Sequence, residues 1–187
     1  MTSLEIFAVL LSVIAVTLTV KRHILCWGFN FIAAAVYGYL FYTYQLYAET
    51  VLQSFFMLMA LYGFLTWQKN QKQHLDVGNI VFKTALLHIL LTASLGLIFG
   101  LSLHFFTQAS LPLLDAQLAA FSLLATYWTS RKYVATWLMW IVLDIIYVGM
   151  FIYKELFLTA VLYAGFVILA VWGFKQWQQS RLNLGQN

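Results

Sequence analysis

The feature that most constrains this chain is a recurring one. Apolar runs of about 17 to 25 residues, separated by short polar connections, can be drawn as seven spans at roughly 4–20, 24–43, 50–67, 83–106, 114–130, 133–153 and 156–175. A helix rises ~1.5 Å per residue and the hydrocarbon core of a bilayer is ~30 Å thick, so each run is long enough to cross. In lipid, only a helix satisfies its backbone hydrogen bonds within one segment. The chain is 63% hydrophobic and 9% charged, a balance foreign to soluble domains. The expectation is an all-α integral membrane protein with seven transmembrane helices.

The few charges give an orientation. Lys21 and Arg22 follow the first span, Lys69, Lys72 and Lys83 fill the third connection, Arg131 and Lys132 follow the fifth span, and Lys175 and Arg181 follow the seventh. With seven crossings these all fall on one side, leaving Lys154 on the other with Glu5, Glu49, Asp115 and Glu155. The positive-inside rule makes the basic side cytoplasmic, so the N-terminus is outside and the C-terminus inside. The net charge of +4 thus follows from topology and calls for no nucleic acid. A lone Cys26 gives no disulfide framework and no metal cluster. The opening "MTSLEIFAVLL" has no basic residue, which argues against a cleaved signal peptide.

The chain also matches itself at an offset of 110 residues. Trp27 pairs with Trp137, Tyr37 with Tyr147, Phe41 with Phe151, Leu46 with Leu156, Phe56 with Phe166 and Ala60 with Ala170. "GFLTWQ" at 63–68 pairs with "GFKQWQ" at 173–178. The implied plan is a first three-helix repeat (1–67), a connection and linker helix (68–113), and a second three-helix repeat with a short tail (114–187). An odd linker span makes the two triples parallel. That symmetry occurs among transporters, with sites near the membrane midplane between the repeats.

Residues that bear chemistry cluster on the matching helices. Trp137, Trp140, Asp144 and Tyr147 are spaced three, four and three apart, on one face of span six. Asp144 is the only acidic residue in any span interior; such a group usually faces a cavity or a partner. It is either a ligand-recognising carboxylate or a structural one bonded to a neighbouring helix. The matching face of span two carries Trp27, Asn30 and Tyr37; Asn30 is a site residue or helix–helix glue. Gln53 is a further polar candidate on span three, whose Ala60 and Gly63 permit close helix approach. Trp67 and Trp177, beside Lys69 and Lys175, read as interfacial belt residues, with Tyr42, Tyr44 and Tyr47 as the belt on the other side. His88 and His104 read as structural or interfacial.

The enzyme classes fit poorly. An intramembrane aspartyl protease needs two aspartates in span interiors, a rhomboid-like protease a GxSG motif, and a retinal protein a lysine in a span interior; the chain has one such aspartate, no GxSG, and its lysines lie at span ends or in connections. No catalytic residue, metal or cofactor is expected.

Two segments carry a family resemblance. "QLYAETVLQSFFMLMALYGFLTW" (45–67) and "RKYVATWLMWIVLD" (131–144) resemble the signatures of the Pnu family of bacterial vitamin transporters, the second as a basic pair followed by WxxWxxxN or WxxWxxxD. The resemblance implies a SWEET-like architecture in the bacterial inner membrane. It also implies facilitated diffusion of an unphosphorylated vitamin, trapping by a cytoplasmic kinase, and a possible homotrimer. Asp144 stands where the family's nicotinamide riboside transporters have Asn. Ala33, "YGFLTW" and Ala135-Thr136 also depart from their pattern. These departures favour thiamine as the vitamin, with nicotinamide riboside or ion-coupled transport through Asp144 as alternatives.

Overall fold

The computed structural model describes residues 3–44, 47–71, 77–106 and 111–184. Among them it forms seven helices: α1 (Ser3–Val20), α2 (Leu25–Thr43), α3 (Tyr47–Gln71), α4 (Phe82–Phe106), α5 (Pro112–Ser130), α6 (Ala135–Tyr153) and α7 (Phe157–Leu184). Six are long and apolar enough to cross a membrane; α5 falls short in hydropathy. Its surroundings explain why. α5 packs against α3, α4 and α6, so little of it needs to suit lipid, and it carries Gln117, Ser122, Thr126 and Thr129 among its neighbours.

The helix contacts form a closed ring: α1 on α2, α2 on α3, α3 on α5, α5 on α6, α6 on α7, and α7 back on α1. α4 stands outside the ring, against α5. Gly96 and Gly100 allow its close approach there, since a Cβ at Gly96 would lie 2.8 Å from the Gln117 side chain and one at Gly100 3.0 Å from the Leu113 backbone. Gln117 donates across this contact to the Ala93 carbonyl at 2.9 Å.

The tight turns after α1 and α5 share one geometry. Arg22 and Lys132 adopt left-handed φ values of 57° and 53°. In each turn the left-handed residue and its successor donate back to the helix end, Arg22 to Thr19 and His23 to Leu18, Lys132 to Thr129 and Tyr133 to Trp128. These bonds satisfy carbonyls that the helix end leaves open. α2 and α6 then begin at Leu25 and Ala135 and end at Thr43 and Tyr153, at the same 110-residue offset as the sequence matches.

Two indoles tie the ring at this end. Trp67 Nε1, on α3, donates to the Ser130 carbonyl at the end of α5, at 3.1 Å. Trp177 Nε1, on α7, donates to the Val20 and Thr19 carbonyls at the end of α1, at 3.1 and 3.3 Å. Both side chains are buried, at 3% and 0% exposure. The expectation that they form an interfacial belt is therefore corrected: their rings fill the space between helix ends and their N–H groups bond helix-end carbonyls. Tyr42 and Tyr44 are exposed at the end of α2; the Tyr47 side chain lies outside the described residues, as does Lys72.

Some boundaries also differ from the expected spans. α3 and α7 continue past Trp67 and Trp177 into polar sequence, because those tryptophans need helical support to reach the carbonyls. Pro112, expected in a connection, starts α5, where its missing N–H would be unpaired in any case. Within the polar connection 68–83, Val77 is buried and Gly78 pairs with the α5–α6 turn. At the opposite end, Lys154 Nζ sits 3.2 Å from both Asp115 carboxylate oxygens and joins α6 to α5. His88 accepts from Trp128 Nε1 at 3.1 Å, a structural contact as expected.

The packing generates a sharp mutational contrast. A Cβ at Gly63 would lie 2.4 Å from the Trp27 ring and one at Gly173 2.6 Å from the Trp137 ring, whereas at Gly149 nothing lies within 4 Å. Gly63→Ala and Gly173→Ala should each destabilise by ~1–3 kcal/mol through overpacking, and Gly149→Ala should be neutral or stabilising. Thermal unfolding of the three variants in one detergent checks this ordering.

Candidate functional site: a cavity inside the helix ring

The ring encloses a cavity of about 220 Å³, a volume for a small molecule. All six ring helices contribute to its wall and α4 contributes nothing. α1 supplies Ser12, Val16 and Thr19; α2 supplies Trp27, Asn30, Ala33, Ala34 and Tyr37; α3 supplies Gln53, Phe56 and Ala60. α5 supplies Thr126 and Thr129; α6 supplies Trp137, Trp140 and Asp144; α7 supplies Tyr163, Phe166 and Ala170. Helical periodicity explains the choice, since Trp27, Asn30, Ala34 and Tyr37 recur at three- and four-residue steps.

Asp144 is buried, at 4% exposure, and is the only charged residue in the wall. No described side chain hydrogen-bonds to or pairs with its carboxylate, so its reading as a structural bond to a neighbouring helix finds no partner. Asn30 donates from Nδ2 to the Cys26 carbonyl one turn back, at 3.0 Å. That bond stays within α2, so the amide does not glue helices together, and its oxygen and second N–H are left for the cavity. Thr129 and Thr136 share a buried node, their hydroxyls 2.8 Å from each other and 2.9 and 2.8 Å from the Ala125 carbonyl, so that their two protons serve two of these three contacts at a time. This fixes α5 against α6 at the wall, which Thr129 lines.

Seven of the eight expected site residues line this one cavity: Trp27, Asn30, Tyr37, Gln53, Trp137, Trp140 and Asp144. Tyr147 does not. Its ring packs on Tyr163 at 4.8 Å and stacks on Phe151 at 5.9 Å, and its hydroxyl lies 3.5 Å from Ser122 Oγ. Tyr37 and Tyr147 match in sequence but differ in place, because Tyr163 stands at the position that Gln53 takes in the other half. Tyr163 was missed by sequence reasoning. The available signal was its 110-residue distance from Gln53, which had been singled out. The wall threonines and Ser12 gave no signal, since hydroxyls occur on many helix faces.

The wall is symmetric in some places and not in others. Thr19 and Thr129, Trp27 and Trp137, Phe56 and Phe166, and Ala60 and Ala170 face the cavity as like pairs. Asn30 stands opposite Trp140 in this register, Ala34 opposite Asp144, and Gln53 opposite Tyr163. One side thus offers amides and the other aromatic faces with a carboxylate. Such a wall suits a small molecule with a hydroxylated or hydrogen-bonding end and a flat cationic end.

The chain is similar to known transporters. A family model described as nicotinamide mononucleotide transporter matches residues 2–179. The nicotinamide riboside transporter PnuC of Escherichia coli K12 is 23% identical over a 184-residue alignment that covers 84% of this chain and 77% of that protein. The protein of the same name from Shigella flexneri gives the same figures. A crystal structure of the vitamin B3 transporter PnuC superposes with a TM-score of 0.71 at 23% identity, over 92% of this chain and 79% of the other. This last likeness is one of fold.

Proposed function

Because the chain belongs to the Pnu family of multi-pass membrane transporters, we propose that it carries an unphosphorylated cationic vitamin, nicotinamide riboside, across the bacterial inner membrane. The observation that carries this reading is the cavity wall. It holds one unpaired carboxylate, Asp144, two tryptophans on the same helix, and no Lys, Arg or His. A positively charged heteroaromatic ring suits the indoles and the carboxylate. A phosphate group would meet a negative charge with no cation to offset it, so the riboside fits and the mononucleotide does not. Asn30 and Gln53, on the opposite side, would hydrogen-bond a ribose.

This reading replaces thiamine, which the departures from the Asn pattern had favoured. Both vitamins carry a fixed positive charge, so Asp144 serves either, and the two curated relatives are named for nicotinamide riboside. We also propose that the α1–α3 and α5–α7 triples are parallel repeats, with the basic end of the ring in the cytoplasm. Movement down the gradient, completed by a cytoplasmic kinase, needs no coupling ion; uptake into vesicles held at zero membrane potential that is unchanged by an imposed pH gradient supports this, and uptake driven by the pH gradient would overturn it.

Calorimetric titration of the purified protein tests the substrate. Nicotinamide riboside should bind, with its mononucleotide at least ~10-fold weaker; tighter binding of thiamine would return the earlier choice. Asp144→Asn removes the charge and keeps the shape. A hydrogen bond to a charged group contributes ~1.5–3 kcal/mol, so affinity should fall about 10- to 100-fold, with no loss in melting temperature. Tyr163→Phe should weaken binding about 3- to 10-fold, while Tyr147→Phe leaves it unchanged; the reverse pattern refutes this wall assignment. For topology, cysteines at Lys69 and Gln179 should react with reagents that reach the cytoplasm, and one at Glu155 with reagents outside. Opposite labelling inverts the orientation.

A further inference from the structure

One end of the cavity is closed by a floor two indoles deep. Trp27 and Trp137 line the cavity, and Trp67 and Trp177 lie behind them, buried and outside the lining. The rings meet edge to face, Trp27 on Trp67 at 5.4 Å and Trp137 on Trp177 at 5.3 Å, each at 89°. Trp67 and Trp177 touch across the ring at 6.4 Å. The N–H groups of Trp27 and Trp137 are buried with no acceptor. A buried donor without an acceptor is unfavourable, so something else must hold the floor in this form.

Part of the hold comes from the Trp67 and Trp177 bonds to helix-end carbonyls, which serve both halves alike. A second part comes from the connection that follows α3. Val77 inserts into the indole cluster. Gly78 donates its N–H to the Lys132 carbonyl at 3.1 Å and accepts from the Val134 N–H at 3.0 Å. The α1–α2 turn has the same left-handed geometry, yet among the described residues no strap bonds to it. The strap lies on the connection between α3 and α4 and grips the turn between α5 and α6, so it spans the seam where the two triples meet.

We propose that the Val77–Gly78 strap is the latch of a gate at the basic end of the cavity. Docked, it holds the four-indole floor shut. Released, it lets the α3–α5 seam part and gives the Trp27 and Trp137 N–H groups access to water or to the passing molecule. The latch rests on the transport reading for the use of the cavity as a route, but not on the choice of vitamin.

The chain supplies its own reporter. Cys26, its only cysteine, is fully buried within the floor cluster, so its modification by N-ethylmaleimide measures opening of the floor without any substrate. Gly78→Pro removes the N–H that bonds Lys132, and Val77→Ala removes the wedge. In full-length protein in bilayer nanodiscs, well below each variant's melting midpoint, both should modify about 3- to 10-fold faster than the parent, the factor expected for losing one modest interaction in the closed state. Val20→Ala removes the same two methyl groups from the same cluster, on the turn without a strap, and should stay within about twofold of the parent. Parent-like rates in the two strap variants overturn the latch. So does equal acceleration by Val20→Ala, which would mean general loosening of the core. If nicotinamide riboside fails to bind while the strap variants expose Cys26, the substrate choice falls and the latch stands.

Discussion

The two crossed indoles, Trp67 bonded to Ser130 and Trp177 to Val20 and Thr19, tie the ring at the seams where α3 meets α5 and α7 meets α1. Lipid chains are as apolar as leucine, so the hydrophobic effect gives little reason for α3 to prefer α5, or α7 to prefer α1, over the bilayer. A helix end with free carbonyls is a different matter. Those acceptors need donors, and each indole supplies one from the other half of the chain. The ring, the cavity within it and the position of α4 outside it all follow from that closure.

The same reciprocity shapes the cavity. Each half places a tryptophan over a glycine of its neighbouring helix, Trp27 over Gly63 and Trp137 over Gly173, and the two rings form a matched floor. Above this floor the halves diverge, with Asn30, Ala34 and Gln53 on one side and Trp140, Asp144 and Tyr163 on the other. Symmetry serves closure, where both halves do the same task. The wall breaks the symmetry that the floor keeps.

Much of the site was legible because helical spacing projects directly onto a helix face. Trp137, Trp140 and Asp144 share a face by arithmetic alone, as do Trp27, Asn30 and Tyr37. Tyr147 obeys the same arithmetic and still lies outside the cavity wall, since face membership fixes direction to within a sector and not which neighbour fills it. Trp67 and Trp177 misled for a related reason. A tryptophan beside a lysine at a span end has the composition of a membrane belt; only the position of a carbonyl on another helix shows that it points inward.

The sequence by itself determined that this chain is a bundle of membrane helices, that its two halves share a pattern, and which faces carry polar and aromatic groups. These properties are local: hydropathy, periodicity and residue identity are written along the chain. The tertiary structure decided which helices are neighbours, that Val77 and Gly78 leave a polar connection to dock on a distant turn, and that Tyr163 displaces Tyr147 from the wall. Those outcomes depend on pairing donors with acceptors and rings with gaps across more than 40 residues of chain, and no local pattern encodes the partner.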